Sequence, residues 1–221
     1  MIDYNTYNNI CTTAQQSHAT LVAVSKTKPI ADIQALYNLG QKDFGENYVQ
    51  ELVNKKKELP QDIRWHFIGH LQSNKVKEIA FFIHLIHTVD SYKLLKEIDK
   101  QAQKANRIID CLLQISIAEE ETKFGMNALE LKELISTIQT SPLLHVRIVG
   151  LMGMATFTTD ASKIRKEFQL LKKTFDSYKN AQAKNYALHI LSMGMSSDYA
   201  IALEEGSTML RIGSLLFGKR D

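Results

Sequence analysis

Eight short apolar runs separated by amphipathic stretches constrain this chain more than any other feature. They fall at 21–26, 43–48, 65–70, 85–90, 110–117, 146–152, 187–193 and 208–213. Near-continuous apolar runs of this length, alternating with helically spaced segments, are the pattern of parallel strands covered on both faces by crossover helices. Eight such units predict a closed (β/α)8 barrel of the TIM type, preceded by an extra, polar N-terminal helix. Between the first two runs Ile33, Leu36, Tyr37 and Leu39 keep helical spacing, and Gly40 suits a left-handed helix end. The longest helix is expected over about 160–181, with Asp160 as N-cap and Phe168, Leu171 and Phe175 on its apolar face. At 221 residues and 44% hydrophobic content the chain can bury one core, and an α/β barrel of this size is expected to be one domain, 1–221.

Charge and cysteine usage exclude several function classes. The 27 Lys and Arg against 24 Asp and Glu leave +3, too little for a polyanion-binding surface, so nucleic acid is not an expected partner. The run Lys55-Lys56-Lys57, followed by Glu58, reads as a solvated helix face. Cys11 and Cys111 show no metal-ligand or redox spacing, and no metal site is expected. No segment has the length of a membrane span or the apolar core of a signal peptide. A reduced cytoplasm is the expected compartment.

Chemistry in such a barrel gathers at the C-terminal strand ends. Lys26 closes the first run there. An ammonium ending an apolar strand must be solvated, paired or used covalently, and a partly buried amine can hold an aldehyde as a Schiff base. Taken alone, Lys26 is more simply a lysine that snorkels to water, and Lys28 is an equally available amine. The other strand ends reverse that balance.

The seventh run leaves through Ser192-Met193-Gly194-Met195-Ser196-Ser197-Asp198, and the eighth leaves through Ile212-Gly213-Ser214. In each, a glycine leads into serine hydroxyls and free amides at a helix start, the chemistry of a phosphate seat. Either serine by itself is better explained as an N-cap. Arg211 shares the strand face of Met209 and Gly213. If that face is inward, the guanidinium approaches a ligand from below. The alternative pairs it with Glu204 or Glu205.

His66 and His70 are four apart, but Phe67 stands where a zinc protease needs a carboxylate and the run reads as strand. One of the two is expected at the pocket mouth and the other as a hydrogen-bonded core histidine. His84, His87, His145 and His189 read as structural. The stretch Glu119-Glu120-Glu121-Thr122-Lys123-Phe124-Gly125 reads as a solvated loop on the functional rim, with Lys123 placed to meet an aldehyde or phosphate.

Together FGENYVQE at 44–51, WHFIGHLQSNK at 65–75 and LSMGMSSDYAIALEEGSTMLRIGSLLFG at 191–218 resemble the pyridoxal phosphate homeostasis protein family, single-barrel relatives of the alanine racemase N-terminal domain. Matching stretches at 21–29, 122–125 and 150–152 extend the likeness over nearly the whole chain. The resemblance implies pyridoxal 5′-phosphate as cofactor, held covalently by Lys26. It also implies Asn47 beside the cofactor, a phosphate held by Ser196, Gly213 and Ser214, and Arg211 facing the pyridine nitrogen. An arginine there can only donate, which leaves the ring a poorer electron sink.

A racemase needs a base on each face of the α-carbon, and only three residues follow Gly218 where racemases carry a second domain. The expected function is therefore intracellular vitamin B6 homeostasis by a monomeric, non-catalytic carrier or buffer that passes pyridoxal phosphate to apoenzymes. The alternative is a low-activity pyridoxal phosphate-dependent amino-acid racemase.

Overall fold

The computed structural model describes residues 2–118 and 124–218. Eight parallel strands close into a barrel in sequence order: β1 (Thr20–Val24), β2 (Asp43–Glu46), β3 (Arg64–Phe67), β4 (Leu85–Val89), β5 (Ile109–Gln114), β6 (Val146–Met152), β7 (Tyr186–Ser192) and β8 (Met209–Ile212). The ring shuts where β1 meets β8, in a register that pairs Val22 with Arg211 and Ala23 with Ile212. The strand bounds agree with the apolar runs to within a few residues, and several runs continue past their strand into the loop above it.

Two separate apolar clusters show which way the side chains face. Val22, Leu85, Leu112, Val149, Met152 and Met209 form the smaller one. They come from β1, β4, β5, β6 and β8, and only the barrel interior can bring those strands' side chains together. The larger cluster lies between strands and helices and includes Phe44, Trp65 and Phe67, all 1% exposed or less. Alternation along each strand then puts Arg211, two residues after Met209, on the inward face, as it does Ser192 and His66.

The surrounding helices are α1 (Tyr4–Gln16), α2 (Ile30–Asn38), α3 (Val49–Glu58), α4 (Val76–Ile79), α5 (Tyr92–Lys104), α6 (Ala128–Thr140), α7 (Ala161–Tyr178), α8 (Tyr199–Glu204) and α9 (Ser214–Phe217). The longest, α7, starts where expected: the Asp160 carboxylate accepts from the amides of Ser162 and Lys163, and Ile164, Phe168, Leu171 and Phe175 are buried. The lead-in helix α1 buries Tyr7, Ile10 and Ala14 despite its polar composition, and the amide of Asp3 ties it to the Leu216 carbonyl. Among the described residues no helix is long and apolar enough to cross a membrane.

Lys55 corrects one expectation. It is not on a solvated face: it is 5% exposed and turned inward with Leu52, which lies three residues earlier on the same helix side. A buried ammonium needs partners, and α3 is positioned to supply them from β2.

Candidate functional site

The C-terminal mouth collects all six candidate residues along one arc of the rim. Lys26 follows β1, Asn47 follows β2, Ser196 follows β7, Arg211 lies in β8, and Gly213 and Ser214 follow it. These four strands are consecutive around the ring. Neighbouring loops are in direct contact. The Ser196 hydroxyl accepts from the amides of Gly213 and Leu215 at 3.3 and 3.5 Å, and a Cβ built on Gly213 would stand 3.3 Å from Val24. The loops after β7 and β8 thus meet at one place on the rim. The Gly213 and Leu215 amides are in long hydrogen bonds, which an oxyanion could take over at little cost.

Two glycines make this closeness possible. Gly194 has φ +96°, and a Cβ there would lie 2.6 Å from that of Ala202. A Cβ on Gly69 would lie 2.1 Å from the Asn47 carbonyl oxygen, so the loop after β3 can press on Asn47 only with glycine at this place. Asn47 Oδ1 is itself buried with no hydrogen-bond partner. Such an acceptor is costly unless a ligand donates to it.

Behind Lys26 the chain is braced by a buried network. The Ser25 hydroxyl donates to Glu46 Oε1 at 2.6 Å, and Lys55 Nζ reaches Glu46 Oε1, Glu51 Oε1 and the Ser25 carbonyl at 2.7, 2.6 and 2.7 Å. Glu51 Oε1 also accepts from the Thr27 amide at 2.6 Å. Thr27 holds φ +64°, an unfavourable left-handed conformation for a β-branched residue. The network therefore fixes both neighbours of Lys26. Burial pushes the Glu46 carboxyl up, and the Lys55 charge and hydrogen bond oppose that shift.

Arg211 is buried, donating through Nη1 to Ser192 Oγ at 2.6 Å and through Nη2 to the Gly153 carbonyl at 3.0 Å. Glu204 and Glu205 are taken by Arg165 instead, which removes the surface ion pair as an account of Arg211. Burial lowers the Arg211 pKa to about 10 against the opposing charge of Asp198, leaving it a cation at neutral pH.

Below Arg211 a polar chain crosses the interior. Ser192 Oγ is 3.3 Å from His87 Nδ1, His87 Nε2 is 2.9 Å from His66 Nδ1, and His66 Nε2 is 3.0 Å from Asp43 Oδ1. Burial keeps His87 well below the ordinary imidazole range. Sequence reasoning missed Asp43 and Ser192. The available signal was an acid opening one apolar run and a serine closing another, both of inward parity.

His66 is the core histidine and His70 the rim one, its ring tilted against Phe124 at 5.4 Å between centroids and its Nδ1 3.6 Å from Asp90. A cavity of 320 Å³ lies beside Asn47 and His70, and one of 200 Å³ lies between Met195, Gln114 and Phe157. Lys123 and the acidic residues before it lie outside the described residues.

The model of the alanine racemase N-terminal domain family matches residues 4–221. A pyridoxal phosphate homeostasis protein of Aquifex aeolicus is 42% identical over 91% of this chain and 87% of its own. That of Synechocystis is 38% identical over the full length of both. The chain belongs to the pyridoxal phosphate homeostasis protein family. Among solved structures, PipY of Synechococcus elongatus, determined with PLP bound, superposes with a TM-score of 0.85 at 35% identity, covering 96% of this chain and all of the other. The family's barrel is shared more widely: alanine racemase of Clostridium difficile gives a TM-score of 0.76 at 12% identity, with this chain spanning 58% of it.

Proposed function

We propose that this chain binds pyridoxal 5′-phosphate at the C-terminal mouth and serves vitamin B6 homeostasis as a covalent carrier or buffer, without dedicated turnover. One observation carries the reading: an amine-bearing strand end, a buried guanidinium and a two-loop oxyanion seat lie on the same arc. The family names and the PLP-bound PipY support it. When bound, the cofactor supplies an aldehyde that a lysine amine can hold reversibly.

Each residue then has a task set by its place. Lys26 Nζ forms the covalent link, and its backbone is held on both sides by the network of Glu46, Glu51 and Lys55. Ser196 and Ser214, with the amides of Gly213 and Leu215, take the phosphate. Asn47 Oδ1 accepts from the ligand and so loses its orphan status. Arg211 faces the pyridine nitrogen, to which it can only donate.

That last contact argues against efficient amino-acid chemistry. A donor-only cation keeps a facing ring nitrogen unprotonated, and the electron withdrawal needed to remove an α-proton is weakened. The chain holds and releases its cofactor, passing it to apoenzymes that lack it. Unpaired Cys11 and Cys111 suit a reducing compartment, and we place the carrier in the cytoplasm.

The test is α-proton exchange in deuterated water, followed by NMR with excess amino acid and the cofactor-loaded protein. Negligible washout, together with cofactor transfer to an added apoenzyme, is expected. Washout at roughly 1–10³ per second, the range of ordinary turnover, would replace the carrier with a racemase-like enzyme.

A further inference from the structure

The opposite, N-terminal mouth of the barrel holds a second constellation that the cofactor reading leaves unused. Asp43 opens β2, His66 lies in β3 and His84 immediately precedes β4. One ligand atom from each lies within 4.8 Å of the other two. His66 Nε2 and Asp43 Oδ1 are 3.0 Å apart, against roughly 3.3 Å between two ligands of a tetrahedral ion with bonds of about 2.0–2.1 Å. A cavity of 370 Å³ opens in front of them, with room for solvent in a remaining coordination position.

We propose that Asp43, His66 and His84 bind a divalent first-row transition-metal ion at this mouth. Two imidazoles and one carboxylate form a donor set suited to Zn2+ or Fe2+, not to the oxygen-seeking Ca2+ or Mg2+. Arg64 shares Asp43 Oδ1 with His66, and the ion takes on that oxygen the place His66 now holds. Arg64 holds the Asp43 carboxylate from the side, Nε to Oδ1 at 2.7 Å and Nη2 to Oδ2 at 2.5 Å, as an outer partner that orients a ligand. The ion takes the place of the proton on His66 Nε2 that faces Asp43 Oδ1, and the ring, uncharged in both states, keeps one proton, now on Nδ1, with no net release.

This exchange has a consequence across the barrel. With a proton on His66 Nε2, the uncharged ring accepts at Nδ1 from His87 Nε2–H, and His87 Nδ1 accepts from the Ser192 hydroxyl. With a metal on His66 Nε2, the ring's proton must sit on Nδ1 and donate to His87 Nε2. His87 then carries its own proton on Nδ1 and donates to Ser192 Oγ. Ser192 is the hydroxyl that Arg211 holds at 2.6 Å. Occupancy of one mouth is thus written into hydrogen-bond direction beneath the other. The metal site does not depend on the identity of the ligand above.

The experiment uses the full chain without cofactor, titrated with Zn2+ against a chromophoric chelator at about pH 8, above the ordinary imidazole range. One equivalent per chain is expected. His84 is exposed at the mouth, so His84→Ala should fold normally and weaken Zn2+ binding at least tenfold. His189→Ala removes a histidine of the same cavity from outside the ligand set and should leave affinity unchanged. In parallel, nitrogen-15 NMR of the histidine rings should show the His87 proton moving from Nε2 to Nδ1 as Zn2+ binds. Absence of a stoichiometric site, or equal affinity in His84→Ala, overturns the site. A bound ion that leaves His87 protonated at Nε2 overturns His66 as a ligand.

Discussion

Arg211 Nη1 and Ser192 Oγ meet at 2.6 Å inside the barrel, one residue from β8 and the other from β7. The contact satisfies a buried cation and ties it to the polar chain running down to Asp43. Ser192→Ala leaves a buried charged donor without its acceptor, at a cost of about 1–3 kcal/mol. Urea denaturation is expected to show that loss, and an unchanged midpoint would mean that another acceptor substitutes for the hydroxyl.

Lys26→Ala is expected to abolish covalent retention of pyridoxal phosphate and leave the fold intact, since the residue stands beyond the last hydrogen-bonded position of β1. The check is borohydride treatment of the loaded protein followed by peptide mass mapping. Added mass on Lys28 or Lys123 in the variant would reassign the covalent residue.

The double replacement of Ser196→Ala with Ser214→Ala removes two hydroxyls from the proposed phosphate seat. Hydrogen bonds to a charged group contribute about 1.5–3 kcal/mol each, so cofactor affinity should fall at least tenfold. Titration of the cofactor-free double variant reads this directly, and unchanged affinity would discard the seat.

Lys55→Met should be among the more damaging single changes outside the apolar core. It leaves the fully buried Glu46 facing the protein without its cation, and breaking such a pair costs about 3–5 kcal/mol. Tm should drop on the order of 10 °C in calorimetry. Adding Glu46→Gln, which removes the stranded charge, should recover part of the loss.

Asp43 links stability to acid. Burial alone would raise its pKa, but hydrogen bonds from Arg64 and His66 outweigh that and bring it from 3.8 to about 2. A carboxyl depressed on folding stabilises the native state above its unfolded pKa, and that contribution is lost as pH falls from about 4 towards 2. Asp43→Asn should therefore flatten this part of the stability profile, measured by urea denaturation at stepped pH.

What the sequence made legible follows from physical range. Strand ends such as Lys26 and Gly213 announce themselves because an apolar run stops abruptly, a signal a few residues long. The convergence of Ser196 on Gly213 was readable because strands seven and eight must be neighbours in a closed barrel. Lys55 was misread because its partners, Glu46 on β2 and the Ser25 carbonyl after β1, are distant in sequence. Within the helix only Glu51, four residues earlier, hinted at it. Asp43, His66 and His84 come from separate βα units, and no spacing rule unites them before the ring closes. Arg211 had two adjacent acids within reach along the chain, and only packing shows that Arg165 holds them.

The ring closes by pairing the first strand with the last, Val22 against Arg211. Lys26 and the proposed phosphate and pyridine contacts therefore stand on opposite sides of a seam that joins the two ends of the chain. Until β8 has emerged from the ribosome, Lys26 has no Arg211, Gly213 or Ser214 to work with. A nascent chain has no complete seat for the cofactor, and capture must wait for the finished barrel. Once seated, a ligand gripping both edges acts as a clasp, opposing the opening of the one strand pair whose partners are separated by nearly the whole polypeptide.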